Sequence, residues 1–181
     1  MDFLEAGVHV LCEKPLAMSV AEAQQMLKKA EDKKRLLLTA FKLRFFEEVL
    51  KAKELIQQGS LGKILNFRLI FGGYMDMAGT WFVKKEISGG GVIMDNGPHA
   101  ADLIRYLFGD IDGVSATALD AQNVGVEDTA KLTFYLKSGV TGKRVPSAVS
   151  PGGPRNRRAT STFGRASRIN IPRSRPSNLR R

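Results

Sequence analysis

The feature that most limits what this chain can fold into is a break in composition near residue 138. Residues 1–137 hold all 18 Asp and Glu together with 17 Lys and Arg, a formal charge of −1. The last 44 residues hold 11 basic residues, ten of them Arg, and no acid. A stretch rich in Arg, Pro, Ser and Gly cannot bury enough apolar surface to offset its chain entropy. We therefore expect the core to come from residues 1–140, and 141–181 to be a disordered Arg/Pro/Ser-rich tail. The net charge of +10 is thus a property of the tail, and a nucleic-acid-binding body is not expected.

The remaining composition narrows the class. The chain is 43% hydrophobic and 25% charged, the balance of a water-soluble globular protein. Apolar runs such as Leu36–Leu38 and Val92–Met94 are far too short to span a membrane. Asp2 and Glu5 near the start lead us to expect no secretory leader. The single cysteine, Cys12, excludes an internal disulfide framework and a cysteine-rich zinc site. A cytoplasmic location is expected.

Two kinds of periodicity divide the body. Val8–Cys12 and Leu36–Phe41 are continuous apolar strands. Between them, Ser19 and Glu22 have capping-box spacing, and Val20, Ala23, Leu27 and Ala30 form a helical stripe. Strand–helix–strand with unalternating strands predicts a parallel sheet covered on both faces. Further on, Phe45, Val49, Ala52 and Ile56 share a helix face that Gly59 closes. Lys63–Phe71 and Thr129–Lys137 alternate cleanly, Ala100, Leu103, Ile104 and Leu107 predict a helix ending at Gly109, and Val114–Leu119 reads as a weaker strand. Alternation predicts an antiparallel open sheet with one wet face. The expected fold class is α/β plus α+β. Residues 1–43 form the C-terminal remnant of a Rossmann-type domain, and 44–140 an incomplete, mainly antiparallel open-sheet α+β domain.

Chemistry concentrates in two segments. Gly7-Val8-His9-Val10-Leu11-Cys12-Glu13-Lys14-Pro15 is a strand ending in Glu-Lys-Pro, and doubly wound sheets bind ligands beyond the carboxyl ends of their strands. Gly89-Gly90-Gly91-Val92-Ile93-Met94-Asp95-Asn96-Gly97-Pro98-His99 places Asp95 and His99 four apart, on one face if helical. A carboxylate beside an imidazole can orient it and support its charged form for acid–base work. Each element alone has a plainer reading: a proline turn, a glycine-rich helix start, a surface pair. Pro98 cannot donate to a helix, so we expect the helix to restart there and the Asp95–His99 pair to be irregular.

Taken together with Leu43-Arg44-Phe45, Gly59-Ser60-Leu61-Gly62-Lys63-Ile64, the stretch through His99 to Asp102, and Glu127-Asp128-Thr129-Ala130, these segments resemble the glucose–fructose oxidoreductase / inositol dehydrogenase (Gfo/Idh/MocA) family over roughly residues 1–140. The resemblance implies hydride transfer between NAD or NADP and a sugar, an inositol-like polyol or a related hydroxyl compound. It implies that Lys14 touches cofactor and substrate, with Glu13 and Pro15 beside the cofactor and a cis bond before Pro15. His99 would be the acid/base, Asp95 would orient substrate or His99, and Arg44 and Asn96 would contact substrate. No metal is implied. Family members commonly pair through the open sheet, so a homo-oligomer is expected, with no membrane or nucleic-acid partner.

The Gly-x-Gly-x-x-Gly turn of a dinucleotide domain is nowhere in the chain. We therefore expect Met1 to be an internal start, residues beyond about Gly142 to be an out-of-frame reading, and the isolated chain to be inactive. Two other classes compete. One is a binding module whose Arg tail engages nucleic acid or acidic surfaces. The other is a non-catalytic partner that dimerises through its sheet.

Overall fold

The computed structural model of the protein describes residues 1–73, 75–144 and 168–170. The first unit runs α1 (Asp2–Glu5), β1 (Val10–Cys12), α2 (Val20–Asp32) and β2 (Leu37–Thr39). β1 and β2 are parallel, with Val10 opposite Leu37 and Cys12 opposite Thr39, and α2 is the crossover that parallel pairing requires. Ser19 caps α2, its Oγ accepting from the Glu22 N–H at 3.2 Å. The Glu22 carboxylate accepts from the Met18 N–H at 3.0 Å, one residue outside the usual capping-box return.

This unit departs from expectation in its covering. α2 turns Ala23, Met26 and Ala30 inward, while Val20 and Leu27 of the expected stripe lie exposed. Small side chains at 23 and 30 let the helix lie close, and two strands of three residues each present only a narrow surface to it. Leu11 and Leu38, opposite each other in the sheet, are 71% and 56% exposed. Among the described residues the sheet is therefore covered on one face, not two.

The second unit begins with a 3₁₀ turn, Lys42–Phe45, followed by α3 (Glu47–Gln57), β3 (Asn66–Ile70), a 3₁₀ turn at Trp81–Val83, α4 (Lys85–Ser88) and α5 (Val92–Phe108). Then come β4 (Ile111–Leu119), β5 (Thr129–Leu136), β6 (Thr141–Arg144) and β7 (Arg168–Asn170). The strands form one sheet in the order β4-β5-β6-β3-β7. Only β3 and β6 are parallel; the other neighbours are antiparallel. α3 and α5 lie on one face. Val49 of α3 and Ala100, Leu103, Ile104 and Leu107 of α5 close over Phe67, Leu69, Leu132, Phe134 and Leu136. The β5 alternation is reproduced, with Ala130, Leu132, Phe134 and Leu136 buried. Phe45, assigned to the α3 face by its spacing, instead sits in the 3₁₀ turn, 75% exposed.

α5 runs unbroken through Pro98 and does not restart there. Its first turn is anchored from outside: the Val92 N–H donates to the Glu127 carbonyl at 2.8 Å and the Ile93 N–H to Glu127 Oε1 at 3.0 Å. An interior proline costs about 3 kcal/mol. Burial of Leu103, Ile104 and Leu107 further along the same helix returns about 1.5–3 kcal/mol each, so continuity wins.

The expected disordered tail over 141–181 is also corrected in part. Thr141–Arg144 is a strand filling the slot between β5 and β3, and Arg168–Asn170 pairs with β3. Ladder bonds use backbone groups and do not depend on side-chain charge. Gly142 suits its place because the Phe67 ring crosses it; an added Cβ would lie 1.9 Å from Phe67 Cζ. Phe67 in turn stacks on Phe108 at 4.3 Å. Residues 145–167 and 171–181, where the rest of that expectation falls, lie outside the described residues. Among the described residues no helix is long and apolar enough to cross a membrane.

Candidate active site

The two units meet where the carboxyl end of β1 faces the first turns of α5. Lys14 follows β1, and its bond to Pro15 is cis. Its ammonium donates to the Asp95 carbonyl at 2.8 Å and forms an ion pair with the Asp95 carboxylate. Asp95 thus holds Lys14 and not His99, as its spacing had suggested. The Lys14 side chain is 16% exposed and that of Asp95 36%, so the pair lines an opening without being sealed.

His99, one turn beyond Asp95 on α5, is 7% exposed. Its ring meets Phe41 edge-on, with centroids 6.3 Å apart. Its Nδ1 is buried with no hydrogen-bond partner among the described residues. Burial pushes the imidazole pKa down, and the Lys14 charge pushes the same way; Asp95 opposes them but does not prevail. The sequence reading had a carboxylate supporting the charged ring. The structure favours the neutral one, because Asp95 is already paired and burial penalises the cation.

Arg44 is placed by the 3₁₀ turn beside α5. Its Nε donates to both Asp102 oxygens, at 2.9 and 2.8 Å, and a terminal nitrogen pairs with Asp102 as well. Its guanidinium stands 5.1 Å from the Tyr106 ring. Arg44, expected to contact substrate, is thus engaged with α5. Asn96 is half-buried beside Asp95, and Glu13 is exposed. The structure therefore brings Lys14, Pro15 and Asp95 together with His99 close by, and leaves Glu13 outside this group.

Four residues that help build the site were given no role from the sequence: Trp81, Phe82, Glu127 and Asp102, the last two within segments quoted for the resemblance. Trp81 and Phe82 join Lys14, Pro15, Ser88, Gly90, Met94 and Asp95 around a small open cleft of about 60 Å³. Glu127 anchors α5, and Gly91 fits against it only as glycine, since an added Cβ would sit 1.8 Å from the Glu127 carbonyl oxygen. Asp102 is the buried partner of Arg44. Trp81 had one available signal: it is the only tryptophan in the chain, in a stretch without periodicity.

Among the described residues no group of His, Cys, Asp and Glu could hold a metal ion. A nicotinamide cofactor fits in part. The Lys14-Pro15 turn stands at the carboxyl end of a parallel strand, where dinucleotide sheets take their ligand. The buried, unpartnered His99 Nδ1 leaves a polar atom for a bound group to satisfy.

Comparison with known proteins agrees with this fold. A family model described as an oxidoreductase family with NAD-binding Rossmann fold matches residues 1–41, and one described as the GFO/IDH/MocA C-terminal domain matches 49–167. A levoglucosan dehydrogenase from Pseudarthrobacter phenanthrenivorans is 37% identical over 119 residues, covering 62% of this chain and 30% of the relative. A myo-inositol 2-dehydrogenase from Thermotoga maritima is 30% identical over 144 residues, covering 76% and 42%. The chain thus spans less than half the length of these curated relatives. The crystal structure of GenD2 from gentamicin A biosynthesis, in complex with NAD, superposes with a TM-score of 0.74 at 29% identity, covering 84% of this chain and 44% of that one. With both family models matched in order, and a parallel β1–α2–β2 unit delivering Lys14 to the α5 of a mixed-sheet domain, the chain belongs to the Gfo/Idh/MocA oxidoreductase family.

Proposed function

We propose that this chain carries the substrate side, and the nicotinamide end of the cofactor side, of an NAD- or NADP-dependent oxidoreductase acting on a sugar or polyol hydroxyl. The observation that carries the reading is the junction of Lys14 and Asp95 beside a buried His99 whose pKa is lowered. The names of the relatives, dehydrogenases of levoglucosan and myo-inositol, support the substrate class.

Each residue has a part in this reading. The Lys14 ammonium, steered by Asp95, donates to the carbinol oxygen and holds it in register. His99, favouring its neutral form, accepts the hydroxyl proton as the carbon is oxidised. Pro15 sets the turn that presents Lys14, and Asn96 adds a polar group for neighbouring hydroxyls. A bound nicotinamide supplies the hydride acceptor. We further propose a cytoplasmic setting, and self-association through the sheet face that carries Lys131, Thr133 and Tyr135.

The described residues hold no glycine-rich turn for a pyrophosphate, so on these residues alone we expect neither tight dinucleotide binding nor turnover. The test is therefore made in two parts. Addition of myo-inositol or glucose is expected to shift the His99 imidazole resonances, and Lys14→Met to abolish that shift. Joined to a strand–Gly-x-Gly-x-x-Gly–helix unit that binds a dinucleotide, the chain is expected to reduce NAD or NADP with one of a panel of sugars and polyols. No resonance shift and no reduction across the panel would refute the reading.

A further inference from the structure

We propose that Trp81 is a stacking platform for the ring of a cyclic polyol or pyranose, so that the site selects cyclic over open-chain substrates. The inference rests on the proposed function and names the substrate feature that site would read. Trp81 stacks on Phe82 with centroids 4.1 Å apart and an interplanar angle of 25°, yet it remains 54% exposed. It lines the same cleft as Lys14 and Asp95. An exposed aromatic of this size is left open at a functional cleft more readily than elsewhere, because burying it on a neighbour would be favourable. Phe82 braces it by stacking on one face, which limits the freedom the indole loses when a ligand docks on the other.

The chemistry of the two walls is complementary. Lys14 and Asp95 offer a donor and an acceptor suited to vicinal hydroxyls. The indole offers a flat face with negative potential, which attracts the weakly positive C–H groups on the apolar face of a ring. In a six-membered ring bearing mostly equatorial hydroxyls, axial C–H groups alternate between the two faces, so those on every second carbon point the same way and can meet the indole together. An open-chain polyol has the same hydroxyls but no such face. The Lys–Asp wall therefore recognises any polyol, and Trp81 adds the preference for a ring.

Because Trp81 is the only tryptophan, its emission reports this contact alone. The chain is titrated with myo-inositol and, as the open-chain counterpart with the same number of hydroxyls, sorbitol. Trp81 emission and the His99 imidazole resonances are followed in parallel, in the parent chain and in Trp81→Leu and Trp81→Phe. Myo-inositol is expected to change both signals with one dissociation constant, and sorbitol to bind more weakly without changing the emission. An aromatic stack contributes about 0.5–1.5 kcal/mol, so Trp81→Leu is expected to weaken myo-inositol binding about threefold to tenfold and sorbitol binding little. Trp81→Phe should lose less. If myo-inositol shifts His99 while Trp81 emission and the affinity of Trp81→Leu stay unchanged, the platform is overturned and the functional reading stands. If neither polyol shifts His99, both fall.

Discussion

Arg44 and Asp102 tie the 3₁₀ turn that opens the second unit to α5 through a forked ion pair, Nε donating to both carboxylate oxygens at 2.9 and 2.8 Å. Asp102 lies three residues beyond His99 on α5, its side chain only 4% exposed, whereas that of Arg44 is 40% exposed. The pair fixes the 3₁₀ turn, and with it Phe41, against the helix that carries His99.

Removing Arg44 leaves a buried carboxylate without its partner. Breaking a fully buried pair costs about 3–5 kcal/mol, and an exposed one under about 1 kcal/mol. With one partner buried and the other in part solvated, Arg44→Ala is expected to destabilise the protein by about 2–3 kcal/mol in urea denaturation. Arg44→Ala combined with Asp102→Leu should recover most of that loss, because no buried charge is then left unpaired.

The imidazole of His99 should report the Lys14–Asp95 pair. The chain holds two histidines, His9 and His99, so two-dimensional NMR resolves both. Lys14 lowers the His99 pKa and Asp95 raises it. Lys14→Met is therefore expected to move the His99 midpoint up, and Asp95→Asn to move it further down. Equal midpoints in all three proteins would show that His99 does not sense the pair.

Stability should fall on the acid side of neutrality through His99. Its folded pKa is lowered, so below the ordinary histidine value of about 6.5 the unfolded chain binds a proton that the folded one resists. Stability is then lost as pH drops through that value. His99→Gln is expected to flatten this arm in melting curves between about pH 7.5 and 5. Glu5, held down to about 2 by Lys29 and Lys33, acts in a separate window: its contribution is present above its ordinary value and is lost as pH falls toward 2.

Two glycines separate steric from conformational cost. Gly91 stands where an added Cβ would lie 1.8 Å from the Glu127 carbonyl oxygen, the acceptor of the Val92 N–H. Gly91→Ala must push α5 from that anchor, and a loss of about 3 kcal/mol is expected from overpacking plus the broken bond. Gly59 has φ +69° and open space around it, so Gly59→Ala is expected to cost only about 1 kcal/mol. Thermal denaturation of the two variants measures the contrast directly.

What the sequence by itself determined were the features set by local periodicity and by short motifs. The buried alternation of Ala130, Leu132, Phe134 and Leu136, the apolar stripe of Ala100, Leu103, Ile104 and Leu107, and the Ser19 cap are each fixed within a few residues by pleat, helical pitch or backbone satisfaction. The Lys14 segment and the Asp95–His99 segment were legible for the same reason, as compact strings with their chemistry in place. Tertiary structure alone decided which groups those strings meet. Asp95 faces Lys14 across 81 positions and so is taken from His99. Asp102 claims Arg44, and Glu127 anchors the helix that Pro98 would have broken. Trp81 reaches the cleft from a segment with no periodicity at all. Gly142 and its strand were hidden by a composition that suggested disorder, because the partner that orders them, Phe67 with the open edge of β5, lies elsewhere in the chain. Contacts between distant positions leave no periodic trace in one sequence, and here they lower the His99 pKa and bring Trp81 to the cleft that Lys14 lines.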